Sequence, residues 1–208
     1  FCDYALDYLA RAGISKDQVA KGGYLIRTTL DPGVQATVRS AITEFAGPDL
    51  NGVASVMSVI RPGRESHPVL AMAGNRNYGL NLDAGETMQP QPFTLAGNGA
   101  GSVFKIFTTA AALDMGMGIN AQLAAPSRFE AKGLGSGGAR GCPPATWCVQ
   151  NAGNYRGSMN VTDALATSPN TAFAKLISQV GVQRTVDMAV KLGLRSYALP
   201  GTARDYDP

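Results

Sequence analysis

The chain has 208 residues, of which 45% are apolar and 16% charged, and its 18 Lys and Arg against 15 Asp and Glu give a net charge of +3. This length suits one domain with an additional segment, and the dispersed charges argue against a nucleic-acid-binding surface. The sequence contains no run of about 18 uncharged apolar residues and therefore predicts no membrane span. Because it starts at Phe1, directly in a helical pattern and without a signal peptide, we expect a piece of a longer protein.

Hydrophobic periodicity and turn residues divide the chain into elements. In chain order they are a helix over 3–12, an extended run over 24–29, a helix over 32–46, strands over 53–60 and 68–73, and helices over 102–115, 161–167, 171–180 and 182–192. The two strands predict a hairpin, and residues 116–160 are predicted to be mostly loop. The change of period near Asn51 predicts a boundary between a linker region, 1–51, and the main domain, 52–208.

The first candidate site is the run from Gly99 to Lys105, in which glycines precede a helix start. They allow a tight entry, so that Ser102 lies in the first turn with its hydroxyl exposed. Residues three apart share a helix face, which brings the Lys105 amine towards Ser102. A serine needs an adjacent base to act as a nucleophile, and a partly desolvated lysine is such a base. Alone, this short pattern is also typical of an ordinary helix start with a solvated lysine.

The second candidate is Ser168-Pro169-Asn170, which lies at a break between two predicted helices. Such a corner can direct a hydroxyl and an amide into one cleft. The alternative is purely local, with Ser168 as an N-cap, Pro169 as the first helical residue and Asn170 in solvent.

The three cysteines allow one intrachain pair. Cys142 and Cys148 are separated by five residues, which suits a small disulfide loop, although two buried free thiols remain an alternative. A zinc site is a poor fit, because His67 is the only histidine and lies far away in sequence. We therefore expect neither a metal nor a cofactor, with Cys2 free or paired outside the chain.

Taken together, these motifs resemble those of the penicillin-binding transpeptidases, and more narrowly the class A, bifunctional, high-molecular-weight penicillin-binding proteins, with an actinobacterial character. Ser102-Val103-Phe104-Lys105 resembles the nucleophile motif of the family, and Ser168-Pro169-Asn170 resembles its second motif. The flanking sequences are similar as well, and these are Leu25–Asp31, Val69–Gly74 and Asn154–Gly157. The resemblance covers nearly the whole chain.

The resemblance implies an α/β (α+β) fold of the serine β-lactamase type, in which an antiparallel sheet is flanked by a helical subdomain. The third motif of the family, Lys-Thr/Ser-Gly, is absent; the nearest strings are Lys21-Gly22-Gly23 and Lys132-Gly133. We therefore expect an incomplete domain, the N-terminal half of a transpeptidase, whose partner is the remaining C-terminal half.

The family's chemistry implies a role for each site residue. Ser102 would be the nucleophile, Lys105 its base, Ser168 a proton carrier to the leaving group, and Asn170 a ligand of the substrate amide. The implied partners are peptidoglycan stem peptides ending in D-Ala-D-Ala, and β-lactams as covalent ligands. The implied location is the extracytoplasmic face of the bacterial plasma membrane, with contact to the membrane only through an anchor of the parent protein. That oxidising location favours a Cys142–Cys148 disulfide.

Two other function classes remain as alternatives. A class A β-lactamase needs a glutamate downstream of the second motif to activate water. The last glutamate of this sequence is Glu130, which argues against that enzyme. A penicillin sensor would lack the segment that resembles the glycosyltransferase linker, and a non-catalytic relative would have little reason to retain both motifs. A D,D-transpeptidase is therefore the preferred interpretation.

Overall fold

A computed structural model of the chain describes residues 1–94 and 101–194. The chain folds into two compact units, Phe1–Gly97 and Asn98–Pro208. Gly99 and Ala100, the first part of the predicted glycine-rich entry, lie outside the described residues. Within the described ranges, no helix has the length and apolar character needed to cross a membrane.

The first unit contains four helices and two small sheets within its described residues. The helices are α1 (Cys2–Arg11), α2 (Lys16–Gly22), α3 (Pro32–Phe45) and the single turn α4 (Gln91–Thr94), and the strands are β1 (Val56–Ile60), β2 (Val69–Gly74), β3 (Asn77–Tyr78) and β4 (Glu86–Thr87). Strands β1 and β2 form the predicted antiparallel hairpin, whereas β3 and β4 pair in parallel. The periodicity did not predict α2, a short helix that begins with a capping box between Ser15 and Gln18.

Helix α3 begins where the sequence predicts. The Asp31 carboxylate accepts hydrogen bonds from the amides of Gly33 and Val34, at 2.9 and 3.1 Å, and Pro32 is the first helical residue. The helix packs on β2, where Val38 and Ile42 are buried in one cluster with Ala71 and Ala73.

The helix of the predicted linker region thus shares a core with the hairpin of the predicted main domain. The structure divides into its two units after residue 97, and not at the boundary predicted near residue 51. That boundary stays a prediction about the parent protein.

The second unit combines helices with very short strands. The helices are α5 (Lys105–Asp114), α6 (Val161–Thr167), α7 (Asn170–Val180) and α8 (Val182–Lys191), and the strands are β5 (Gln122–Ala124), β6 (Arg128–Lys132), β7 (Gly137–Gly138), β8 (Thr146–Gln150) and β9 (Ser158–Asn160). Strands β5 and β9 pair antiparallel, and β8 lies between an antiparallel β6 and a parallel β7.

Most of 116–160 lies outside regular elements, as predicted, but the prediction missed these five short strands. The strands there have two to five residues, too few for a clear alternation of apolar and polar side chains, and β7 is made of glycine alone. The four helices were predicted within a few residues of their ends, because they carry an apolar face. Leu176, Phe173 and Val161 lie at the centre of the core they share with β5 and β9.

A disulfide joins Cys142 to Cys148, with an S–S distance of 2.02 Å, and ties the loop before β8 to that strand. The structure thus contains the pairing that the spacing and the implied compartment favoured. Cys148 is 2% exposed, and the remaining cysteine, Cys2, is free and exposed. In the described part of the chain, no cluster of three or more His, Cys, Asp or Glu side chains is arranged to hold a metal ion.

Candidate active site

Ser102 lies in a tight turn that leads directly into α5. A 3-10 turn covers Gly101–Phe104 and the α-helix begins at Lys105, so the helix predicted from residue 102 starts with a different winding. Gly101 has φ +58°, a left-handed conformation that glycine adopts without strain. In a 3-10 turn, side chains three residues apart eclipse each other. The turn therefore aligns Ser102 with Lys105, and the Ser102 side chain is exposed.

The Lys105 amine is bound to the second motif. Its Nζ donates hydrogen bonds to the Ser168 carbonyl oxygen at 2.7 Å, to Ser168 Oγ at 2.9 Å and to Asn170 Oδ1 at 2.8 Å. These three bonds use all the donors of an ammonium group. Among the described residues, Ser102 is not one of its hydrogen-bond partners. The two motifs, 63 residues apart in sequence, thus meet at one side chain.

Burial lowers the pKa of the Lys105 amine below its ordinary value, because desolvation disfavours the charged form. The same nitrogen lies 5.2 Å from the centroid of the Phe173 ring, a contact that favours the cation. A lysine with a lowered pKa releases its proton more readily than a solvated lysine. The site therefore contains an amine that is suited to exchanging a proton with a neighbouring hydroxyl group.

The corner at Ser168 has an unusual backbone conformation. Ser168 ends α6 with φ +60° and ψ 45°, in the left-handed region, and its amide donates to the Ala164 carbonyl at 2.7 Å. Pro169 follows in an extended conformation, and α7 begins at Asn170. Ser168 is therefore the C-cap of one helix rather than the N-cap of the next. A non-glycine residue with positive φ is strained, and such strain is often found at functional sites.

This strain can be measured with a pair of variants. We expect Ser168→Gly to unfold with a free energy about 1 kcal/mol higher than Ser168→Ala, because glycine adopts a positive φ without the clash of a Cβ. Both variants lack the hydroxyl group, so the difference reports the backbone alone. Thr167, one residue earlier in α6, provides the matched control: there Ala is expected to be more stable than Gly by about 1 kcal/mol. Equilibrium urea unfolding measures both pairs, and a Ser168 pair with the same sign as the Thr167 pair would contradict the assignment.

The end of β8 holds the start of α7. The Asn170 side-chain amide donates to the Gln150 carbonyl at 3.2 Å, while its oxygen accepts from Lys105. The next residue along each element repeats the contact, since the Thr171 amide donates to Asn151 Oδ1 at 3.0 Å and Asn151 Nδ2 donates to Thr171 Oγ1 at 2.9 Å. Two consecutive residues of the strand end thus bind two consecutive residues of the helix.

An open cleft of about 680 Å³ lies over these groups. Ser102, Lys105 and Asn170 line it, together with Phe173 and Trp147. Trp147 is only partly buried, so this aromatic ring contributes to the cleft wall. Four polar residues were predicted to form the site. Ser102, Lys105 and Asn170 line this one cleft, and Ser168 contacts Lys105.

Other residues of this region were not predicted. Nothing in the sequence distinguished Gln150 or Asn151, because they lie in or beside a strand too short to be recognised, or Thr171, which is an ordinary residue of a helix. The Asn151 contacts with Thr171 join residues 20 positions apart and depend on tertiary structure alone. The polar pair Gln150-Asn151, directly after the apolar run Trp147–Val149, was a local signal of a strand end.

The arrangement is that of a serine–lysine site, in which Ser-x-x-Lys and Ser-x-Asn meet in one cleft. The sequence model of the penicillin binding protein transpeptidase domain matches residues 64–206. The chain therefore belongs to the penicillin-binding protein transpeptidase domain family, and the resemblance seen in the sequence is confirmed.

Relatives in sequence and structure agree with this family. Penicillin-binding protein 1A of Mycobacterium tuberculosis is 28% identical over 185 residues, which are 87% of this chain and 19% of that protein. The structure of PonA1 from Mycobacterium tuberculosis has a TM-score of 0.66 at 25% identity and covers 95% of this chain and 44% of that one. The chain thus spans about a fifth of the curated relative and less than half of the solved structure.

A second solved structure supports the fold. The penicillin G acyl-enzyme complex of penicillin-binding protein A from Mycobacterium tuberculosis has a TM-score of 0.51 at 24% identity and covers 80% of this chain and 39% of that one. The mixed α/β fold predicted from the sequence is therefore that of the penicillin-binding transpeptidases.

Proposed function

We propose that this chain belongs to a class A penicillin-binding protein and carries the nucleophile half of a D,D-transpeptidase site. The observation that supports this most strongly is the position of the Lys105 amine, bound to both Ser168 and Asn170 and one 3-10 turn from Ser102. The family match supports transpeptidase chemistry in general. The contacts of this lysine support the role proposed for each residue in proton transfer.

The reaction begins with proton transfer from Ser102 to neutral Lys105. Ser102 Oγ forms a bond to the carbonyl carbon of the penultimate D-Ala of a stem peptide. The negative charge that develops on the carbonyl oxygen is stabilised by backbone amides, one of them that of Ser102 and another on the strand that carries the family's third motif. Because Lys105 contacts Ser168 Oγ, the proton passes through this hydroxyl group to the nitrogen of the departing D-Ala.

The carbon–nitrogen bond then breaks and leaves an acyl-serine on Ser102. The nitrogen of a second stem peptide's amine attacks the carbonyl carbon of this acyl group and forms the new amide bond, while the bond from that carbon to Ser102 Oγ breaks. The proton that the amine loses passes through Lys105 to Ser102 Oγ, which regenerates the serine hydroxyl. Asn170 contributes by orienting Lys105 and by binding the substrate amide. A β-lactam enters the same first step, but its opened ring stays attached, so that Ser102 remains acylated.

The proposal includes the setting of the reaction. Cross-linking of peptidoglycan takes place on the extracytoplasmic face of the bacterial plasma membrane, and the Cys142–Cys148 disulfide suits an oxidising compartment. The parent protein would also contain the C-terminal part of the domain and a glycosyltransferase, as the class A assignment implies.

Release of D-Ala tests this function directly. The complete natural protein is incubated with two synthetic pentapeptides, one ending in D-Ala-D-Ala and the other in D-Ala-L-Ala, together with an acceptor amine. We expect release of the terminal residue and a cross-linked product from the D-Ala-D-Ala peptide only, detected by mass spectrometry. A protein that instead hydrolyses penicillin over many turnovers is a β-lactamase, and a protein that releases nothing from either peptide is not a transpeptidase.

A further inference from the structure

The side-chain amide of Asn151 is fixed in one orientation by three hydrogen bonds. Its oxygen accepts from the Thr171 backbone amide at 3.0 Å, and its nitrogen donates to Thr171 Oγ1 at 2.9 Å and to the Pro126 carbonyl at 3.1 Å. If the oxygen and nitrogen exchanged positions, two donors would face each other at the Thr171 amide, and two acceptors would face each other at the Pro126 carbonyl. Thr171 is fully buried, so these bonds are shielded from water.

Asn151 supplies a helix cap from a different element. The first amides of a helix have no partner within the helix, and they are usually satisfied by the side chain of the N-cap residue. The N-cap of α7 is Pro169, whose ring has no acceptor atom. The Thr171 amide, the second in α7, therefore receives its acceptor from the residue that follows β8. The start of α7 is fixed on this strand rather than capped by its own chain.

This attachment determines where the acceptors of Lys105 lie. Asn170 precedes Thr171 and binds both Gln150 and Lys105, while Ser168, two residues earlier, has the strained positive φ. A strained conformation persists only when the surrounding structure holds it in place. The Asn151–Thr171 bonds hold the first turn of α7 in the position at which Asn170 Oδ1 accepts from the Lys105 amine.

We propose that Asn151 is a positioning residue for acylation, acting through Asn170 on Lys105. The inference rests on the proposed function, and it goes beyond it by assigning a role to a residue outside both sequence motifs. Asn151 contacts neither Ser102 nor Lys105 among the hydrogen bonds of the described residues. Its effect on the chemistry must therefore pass through α7, and the effect should disappear when Asn170 is absent.

A double-mutant cycle tests this dependence. In the complete natural protein, the second-order rate constant for acylation by a fluorescent penicillin is measured for Asn151→Ala, Asn170→Ala and the double variant. We expect Asn151→Ala to lower the rate by about 100-fold, since small displacements of a catalytic group have effects of this size. In the Asn170→Ala background, the same change should alter the rate by less than about threefold, because coupled residues are not additive.

Two further variants separate positioning from loss of stability. Asp31→Ala removes an acceptor of the same kind from the start of α3, in the other unit, and should leave the acylation rate within about twofold. Thr171→Val retains the backbone amide and the shape but lacks the hydroxyl group that accepts from Asn151. It should cause a smaller fall in the same direction, again only when Asn170 is present, and it replaces Asn151→Ala in the cycle if that variant does not fold.

These experiments distinguish a failure of the positioning role from a failure of the proposed function. If the unchanged protein is not acylated on Ser102, the proposed function and this inference are both wrong. If Ser102 is acylated but the fall caused by Asn151→Ala is the same with and without Asn170, or equals the effect of Asp31→Ala, the function stands and the positioning role is overturned.

Discussion

Replacement of Ser102 by alanine is expected to abolish covalent labelling of the complete protein by a fluorescent penicillin. In the proposed mechanism the acyl bond forms on the Ser102 oxygen, and alanine has no atom that can replace it. Ser102 is exposed in the cleft, one 3-10 turn from a lysine of lowered pKa. Gel fluorescence after a fixed incubation measures the label, and tryptic mapping of the unchanged protein identifies the peptide that carries it.

Two serines serve as comparisons for this experiment. Ser158, on strand β9, donates to Gln122 and does not line the cleft, so Ser158→Ala should retain full labelling. Ser168 is the rival nucleophile, because its hydroxyl group contacts the Lys105 amine. Unlike Ser102, however, it is not among the residues that line the cleft, and no lysine follows it one turn later. An acyl group on any peptide other than the one with Ser102 would contradict the assignment.

Replacement of Lys105 by alanine is expected to slow acylation by about 10²–10⁴-fold, the usual size of general acid–base assistance. In the proposed mechanism the variant loses the group that accepts the Ser102 proton, and it also leaves Ser168 and Asn170 without their shared donor. Lys175, on α7, does not line the cleft and provides the matched control. Lys175→Ala should acylate at the normal rate, and a comparable fall in both variants would indicate a general effect of removed charge.

The pH dependence of the acylation rate tests the same proposed role of Lys105 as proton acceptor. Only the neutral amine accepts a proton, so the rate should rise with pH through the pKa of Lys105. Because burial lowers that pKa, the midpoint of the rise should lie below the ordinary pKa of a lysine, about 10.4. Stopped-flow acylation rates across the pH range measure this rise, which should be absent in Lys105→Ala. A rise of the rate with pH that persists in this variant would assign the titration to another group.

In the proposed mechanism the two variants address different halves of one step, because Ser102 supplies the atom that is acylated and Lys105 accepts the proton of its hydroxyl group. Neither group is sufficient alone, since a serine hydroxyl is a weak nucleophile without a base. The geometry explains why Lys105 is held so firmly. Its amine has three acceptors, all of them on the corner between α6 and α7.

Local sequence alone determined both motifs and every described helix except α2 and α4. Asp31 and Pro32 predicted the start of α3, because a cap and a first-turn proline act within three or four residues. The apolar faces of α5 and α7 likewise repeat over two or three turns, which is long enough for their periodicity to be recognised. Ser102 and Lys105 could be paired for the same reason, since a spacing of three residues defines their relation without any distant contact.

Only the tertiary structure decided how these parts come together. The bonds from Lys105 to Ser168 and Asn170 join residues 63 and 65 positions apart, and no local rule predicts such a distance. The strands of two to five residues over 116–160 were likewise invisible to periodicity, yet the end of one of them caps α7 through Asn151. A short strand is stabilised by its neighbours and a long-range cap by packing. Both depend on free energies that exist only once the chain has folded.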